Sequence, residues 1–207
     1  MRRFYWFKDG LPQSVAILGI AVLYPLFIFL MGDPQRGFLE YLEMATWYLV
    51  AMAVFMPVIF NLLIYGTTVP LTLSLGATRK EAWTGLQLYR LAMLLPLLGG
   101  VVLLAVLGAT VDFWLVFVLL LSGYLFFGGI GGILGVLSTK LSRGALVAVT
   151  AAISTCSLAV AAVAALLTVL AEQVAFSQIF ILPVVGLLVY IACTCFEKKA
   201  IKALCVK

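Results

Sequence analysis

Long apolar stretches alternate with short charged segments along the whole chain. An α-helix rises about 1.5 Å per residue, so about 20 consecutive apolar residues cross the hydrocarbon core of a bilayer. Charged residues divide this chain into six stretches of roughly that length. They cover residues 13–31, 45–65, 86–109, 113–137, 144–170 and 178–196. The pattern predicts an all-α, polytopic membrane protein with six transmembrane helices.

The charges that separate these stretches predict their direction. If the N-terminus lies in the cytosol, twelve of the thirteen basic residues fall on the inner side and only Arg36 falls outside. The acidic residues show the opposite bias, with five outside and three inside. Because cytosolic loops carry an excess of Lys and Arg, both termini are expected in the cytosol. The inner basic residues are Arg2, Arg3, Lys8, Arg79, Lys80, Arg90, Lys140, Arg143, Lys198, Lys199, Lys202 and Lys207.

Composition supports the same class of protein. The 207 residues are 65% apolar and only 10% charged, and their mean hydropathy is +1.24. A soluble domain carries about a quarter charged residues, so this chain lacks the polar side chains needed to cover a surface in water. We expect one transmembrane domain over residues 1–207. The net charge of +5 reflects the inner loops, and no Arg-rich helix favours nucleic-acid binding.

The two ends of the chain are expected to lie at the inner membrane surface. Residues 1–12 place aromatic and basic side chains next to each other, which suits an interfacial helix or an unstructured segment whose aromatics anchor the first span. Residues 13–31 are too long for a signal peptide and lack a cleavage pattern, so we interpret them as a retained span. Residues 197–207 are expected to form a cytosolic tail.

The most informative segment is the predicted inner loop at residues 66–85. Pro70 suits the first turn of a short helix, and Gly76 suits its end. Thr78 and Glu81 have the spacing of a capping box, so a second helix should begin at Thr78 and continue into the third span. Such a loop would present Arg79 and Lys80 at its tip.

Two interpretations of this basic tip follow from the residues alone. It suits docking into a groove on a soluble protein. Alternatively, it forms an interfacial turn whose basic side chains bind lipid phosphates.

A resemblance favours the first interpretation. Residues 74–81, with the sequence SLGATRKE, resemble the SLGATR loop of small six-span permease subunits in the bacterial type-2 ATP-binding-cassette exporter family. The resemblance covers the topology of the whole chain, but only about ten residues match at the level of a motif. Its implied coupling element runs over residues 70–81 and comprises Pro70, Ser74, Gly76, Thr78, Arg79, Lys80 and Glu81. The outer loop at residues 172–177 departs from larger relatives, because it is too short for re-entrant helices.

The same resemblance implies partners and a location. It implies a plasma-membrane permease that pairs with a second permease subunit, identical or not, and with a separately encoded nucleotide-binding ATPase. ATP and Mg²⁺ would bind to that ATPase, since this chain has no G-x-x-x-x-G-K-[ST] sequence and is expected to bind no cofactor. The implied solute is hydrophobic or amphipathic, such as a peptide or a lipid.

The glycine-rich stretch in the fourth span is better explained by helix packing than by phosphate binding. It forms two G-x-x-x-G pairs, which let helix backbones approach closely in lipid, either within one chain or across a dimer. The pairs are Gly128/Gly132 and Gly131/Gly135. Asn61, in the second span, is expected to hydrogen-bond a neighbouring helix or, alternatively, to line a solute pathway.

The remaining chemistry argues against an enzyme. The chain has no histidine, so a metal site is not expected, and its four cysteines form no C-x-x-C pair. No acidic residue lies near the centre of a predicted span, which leaves no carboxylate for a proton relay. Two other functions stay open: a substrate-binding membrane subunit of a vitamin or metal uptake system, and a membrane assembly protein without transport.

Overall fold

The structure is a computed structural model that describes residues 11–20, 22–23, 27, 31, 37–108, 112–139 and 181–203. Every regular element in these ranges is an α-helix, and no strand occurs among them. The helices are α1 (Leu11–Ile20), α2 (Phe38–Gly66), α3 (Thr68–Ser74), α4 (Arg79–Val106), α5 (Phe113–Ser138) and α6 (Ile181–Ala203).

Four of the six predicted spans have a counterpart long and apolar enough to cross a membrane. These are the continuous α2–α3 segment, α4, α5 and α6. Helix α1 covers part of the first predicted span, and the fifth, at residues 144–170, lies outside the described residues. The interfacial segment at residues 1–10, the outer loop at 172–177 and the end of the tail at 204–207 also lie outside them.

Helix α5 lies between α2 and α6 and packs extensively against both. Its glycines make this possible. A Cβ atom at Gly131 would lie 2.8 Å from the Cα of Val58 in α2, and one at Gly129 would lie 3.1 Å from the Cα of Tyr190 in α6. Gly186 makes the reciprocal approach, since its Cβ would lie 3.0 Å from the carbonyl oxygen of Ser122. The close packing available to small residues in lipid therefore operates on both sides of α5.

Both predicted glycine pairs lie inside this packed region of the single chain. A Cβ at Gly135 would overlap the ring of Tyr65 in α2, and one at Gly132 would overlap the carboxylate of Glu197 in α6. A Cβ at Gly128 would make only ordinary contacts, at 3.8 Å from Pro57 and Tyr190. The stretch is thus shared between two neighbours, and its members differ in how tightly they are packed.

The segment that links α2 to the first residues of α4, which we call the elbow (residues 67–80), contains the short helix α3. Helix α3 follows α2 after the single residue Thr67 and ends before Gly76, whose φ is +82°. Glycine adopts this left-handed conformation without the steric cost that a side chain would add. Another glycine with positive φ, Gly108, at +95°, follows the other end of α4.

The predicted capping box at the start of α4 is present. The hydroxyl of Thr78 accepts a hydrogen bond from the backbone N–H of Glu81 at 3.2 Å. The carboxylate of Glu81 in turn accepts one from the backbone N–H of Thr78 at 2.9 Å. These bonds satisfy donors that a helix N-terminus otherwise leaves unpaired, so α4 begins sharply at Arg79.

Removing this cap should lower stability. Thr78→Ala leaves the N–H of Glu81 without its acceptor, and we expect a loss of about 1 kcal/mol. The measurement is thermal unfolding of the detergent-solubilised protein. Thr84→Ala is the matched control, because the Thr84 hydroxyl only donates back to the carbonyl of Lys80 within the helix. Equal effects of the two substitutions would contradict a capping role for Thr78.

Candidate functional site

The described interior contains one ion pair, between Arg90 of α4 and Glu197 of α6. Their side chains are 4% and 1% exposed. Arg90 Nη1 donates to Glu197 Oε2 at 2.8 Å, and Arg90 Nη2 donates to Glu197 Oε1. This two-pronged arrangement matches the planar guanidinium to the carboxylate and suits a buried charge pair.

A third helix joins the pair through Asn61 of α2. The side-chain oxygen of Asn61 accepts from Arg90 Nε at 2.9 Å and from Arg90 Nη2 at 2.5 Å. Its amide nitrogen donates to the backbone carbonyl of Pro57 at 2.5 Å and lies 3.4 Å from the carbonyl oxygen of Gly128. All three guanidinium nitrogens of Arg90 are therefore engaged, and α2, α4 and α6 meet at one side chain.

Helix α5 forms one wall of this buried cluster. The hydroxyl of Tyr124 donates to the backbone carbonyl of Arg90 at 2.6 Å. About two turns further along α5, Gly132 leaves room for the two charged groups, because a Cβ there would overlap both Glu197 and Arg90. The absence of a side chain at Gly132 thus lets the carboxylate and the guanidinium meet against the helix.

Further polar side chains surround the pair. The hydroxyl of Tyr190 in α6 donates to Gln87 Oε1 in α4 at 2.6 Å, and its ring centroid lies 5.9 Å from the Arg90 guanidinium carbon. The hydroxyl of Tyr65 is buried without a hydrogen-bond partner, as is the side-chain nitrogen of Gln87. We call this group the buried polar cluster: Asn61, Tyr65, Gln87, Arg90, Tyr124, Tyr190 and Glu197.

Moving charged side chains from water into a low-dielectric interior costs free energy, so the buried polar cluster is a candidate for a functional role. Burying a charge away from water is costly unless it is paired and hydrogen-bonded, and ionisable side chains packed among membrane helices are usually functional. The same connection of three helices through apolar packing alone would avoid that cost. The buried polar cluster is therefore one half of the candidate site.

The elbow is the other half, and it is exposed. Val69 of α3 is buried and ties the short helix to the core, whereas Leu71 and Leu75 are 59% and 70% exposed. Arg79 and Lys80 are exposed as well. The elbow thus combines exposed apolar and basic side chains on a short, well-defined backbone.

Two contacts attach the elbow end of α4 to the end of α6. Arg79 Nη1 donates to the backbone carbonyl of Lys202 at 2.5 Å. Lys198 Nζ lies 4.9 Å from the ring centroid of Trp83, within the range of a cation–π interaction. Arg79 therefore contacts a second helix, in addition to lying at the exposed tip that the sequence predicts.

The predicted site residues fall into three regions. The elbow carries Pro70, Ser74, Gly76, Thr78 and Lys80, with Arg79 where it meets α6 and Glu81 directly after it in the first turn of α4. Asn61 lies in the buried polar cluster and makes the interhelical hydrogen bonds expected of it. The four glycines lie on α5. Gly131 and Gly135 face α2, Gly132 faces Glu197 and Arg90, and Gly128 contacts both α2 and α6.

The sequence did not predict the central pair. It placed Glu197 at the start of the cytosolic tail and Arg90 on the inner side, and it did not predict that the two side chains are buried against each other among the helices. One signal was available. Arg90 is an isolated charge near the start of one apolar stretch, Glu197 directly follows another, the two charges are opposite, and such residues usually pair.

No metal site occurs in the part of the chain that the structure describes, where His, Cys, Asp and Glu form no group of three or more. Cys193 is buried and Cys195 is exposed, which fits opposite faces of α6, while Cys156 and Cys205 lie outside the described residues.

Comparisons with known proteins identify no relative. No protein-family model, curated protein or solved structure matches this chain. The function must therefore be argued from the elbow and the buried polar cluster themselves.

Proposed function

We propose that this chain is the membrane-spanning permease subunit of an ATP-driven exporter. In this proposal it crosses a bacterial plasma membrane six times with both ends in the cytosol and pairs with a second permease subunit. A separate nucleotide-binding ATPase holds ATP and Mg²⁺, and the chain itself is not an enzyme. The solute is hydrophobic or amphipathic, such as a peptide or a lipid.

One observation carries the proposal: the last residues of the exposed elbow, Arg79 and Lys80, form the first turn of the same helix that holds the buried ion pair. Helix α4 begins at the capping box and carries Arg90 on the same continuous helix. A displacement applied to the elbow would therefore reach Arg90, and through it Asn61 in α2 and Glu197 in α6. An element that receives mechanical work from a soluble partner needs this continuity.

The surface of the elbow suits a protein groove. Protein interfaces place apolar side chains at their centre and charged ones at their rim. Leu71 and Leu75 offer the apolar part, and Arg79 and Lys80 offer the charged part. Burying one leucine side chain is worth about 1.5–3 kcal/mol, enough to anchor a docked elbow.

The test is co-expression and co-purification with the nucleotide-binding subunit that this proposal requires, followed by assay of its ATP hydrolysis. We expect a complex whose affinity falls about tenfold or more in Leu75→Asp, because losing the burial of a leucine costs more than the roughly 1.4 kcal/mol that corresponds to a tenfold change in affinity. We expect a fall of the same size in Lys80→Glu, which reverses a charge at the rim of the docking surface. Stimulation of ATP hydrolysis should fall in parallel. Both side chains are exposed, so folding should be unaffected.

Glu40→Gln provides the control. Glu40 is an exposed residue in the first turn of α2, at the end of that helix remote from the elbow. It should leave binding unchanged. If the wild-type chain formed no complex, the exporter proposal would be overturned, and a vitamin or metal co-purifying at a fixed ratio would instead identify an uptake subunit.

A further inference from the structure

Five basic residues from two distant parts of the sequence meet at one end of the helix bundle. Arg79 and Lys80 open α4, and Lys198, Lys199 and Lys202 lie in the last turns of α6. The contact from Arg79 to the Lys202 carbonyl joins residues 123 positions apart. We call these five residues the α4–α6 basic surface, and all five are exposed.

Successive contacts along the two helices fix this surface. The last turns of α6 run antiparallel to the first turns of α4, as shown by the pairs Arg79–Lys202, Trp83–Lys198 and Gln87–Tyr190. The ion pair between Arg90 and Glu197 lies next to them. The end of α6 is thus attached to the start of α4 at several points.

The nearby described carboxylates are already engaged. Glu81 accepts hydrogen bonds from the backbone and the hydroxyl of Thr78 in the capping box. Glu197 is buried against Arg90. Five cations thus face two carboxylates, each of which already has a partner, so the charge of the α4–α6 basic surface is positive.

We propose that the end of α6 is a second docking element for the same soluble partner, and that it binds an acidic patch on the ATPase beside the groove that takes the elbow. This rests on the proposed function. Charge complementarity selects the partner, because five cations present a field that an acidic protein surface matches. The position of the cations selects the same partner as the elbow, because a protein seated on the exposed Leu71 and Leu75 would also cover the adjoining start of α4 and the end of α6.

Docking at both elements has a mechanical consequence. A partner that contacts α4 and α6 together displaces them as one unit and keeps Arg90 and Glu197 in register. A partner that held the elbow alone would pull α4 along α6 and strain the pair.

The test is the double reversal Lys199→Glu/Lys202→Glu with the elbow intact. The protein is reconstituted in nanodiscs of phosphatidylcholine, and the affinity for the co-purified ATPase is measured at low and high salt. We expect affinity to fall about tenfold at low salt and the difference to shrink at high salt, because salt screens exposed charges. The double variant Lys199→Gln/Lys202→Gln should give an intermediate loss, and unchanged thermal unfolding shows that the fold is retained.

Each outcome decides a different point. If Lys80→Glu weakens binding and the α6 reversal does not, the inference is wrong while the exporter function stands. If the α6 reversal matters only in nanodiscs containing phosphatidylglycerol, and affinity in phosphatidylcholine is unchanged, the α6 end binds anionic lipid and the inference is likewise wrong. If the wild-type chain binds no ATPase, the proposed function fails and this inference fails with it.

Discussion

Arg90→Met should destabilise the protein by about 3–5 kcal/mol, the largest single-residue effect that we expect. The substitution keeps an apolar side chain of similar length but leaves the buried carboxylate of Glu197 without its counter-charge. It also removes both donors to the side-chain oxygen of Asn61. The measurement is unfolding of the detergent-solubilised protein by denaturant, followed by tryptophan fluorescence.

The double variant Arg90→Met/Glu197→Met distinguishes an ion pair from a simple loss of volume. Replacing both partners of a buried pair with apolar residues is often neutral, whereas removing one partner is costly. We therefore expect the double variant to recover most of the stability lost in Arg90→Met. A double variant as unstable as the sum of the two single variants would show that the charge pairing is not what matters at this position.

Gly131→Ala should destabilise the protein by about 1–3 kcal/mol through overpacking. The new methyl group would lie 2.8 Å from the Cα of Val58 and 3.0 Å from the carbonyl oxygen of Pro57, and both are backbone atoms that cannot rotate away. Helix α5 must then move away from α2. Thermal unfolding and the monodispersity of the purified protein measure the effect.

Two glycines serve as matched controls for this prediction. Gly128→Ala lies in the same glycine-rich stretch but should be tolerated, because its methyl group would make only ordinary contacts at 3.8 Å. Gly99→Ala lies in α4 with no atom nearby and should stabilise the helix by about 0.5–1 kcal/mol. If Gly128→Ala and Gly131→Ala were equally damaging, the close approach of α5 to α2 would not be the cause.

The local structure of the elbow could be predicted from sequence because its signals are local. The Thr78–Glu81 spacing satisfies helix donors within four residues, and Gly76 alone supplies the left-handed conformation that ends the preceding turn. Neither depends on the rest of the fold. The apolar stretches can also be recognised from the sequence alone, since the number of apolar residues that a membrane-spanning helix needs follows from the thickness of the bilayer.

The buried polar cluster could not be predicted in the same way. Arg90 and Glu197 are 107 positions apart, and their meeting depends on how α4 and α6 pack against α5. The bias of basic residues toward inner loops placed Arg90 and Glu197 near the membrane surface, an assignment that considers each residue alone. Such an assignment does not take into account that Gly132, which has no side chain, leaves room for both charged groups.

Helix α4 has a left-handed glycine just beyond each end, Gly76 before it and Gly108 after it. Rotation about two such residues re-orients the intervening segment without breaking any of its internal hydrogen bonds. The direction of α4 is therefore set by its contacts with α2, α5 and α6 and not by the two connections through which the chain enters and leaves it. A bulkier residue at Gly76 or Gly108 would be strained in the left-handed conformation, so either substitution would favour a different path of the chain into or out of α4.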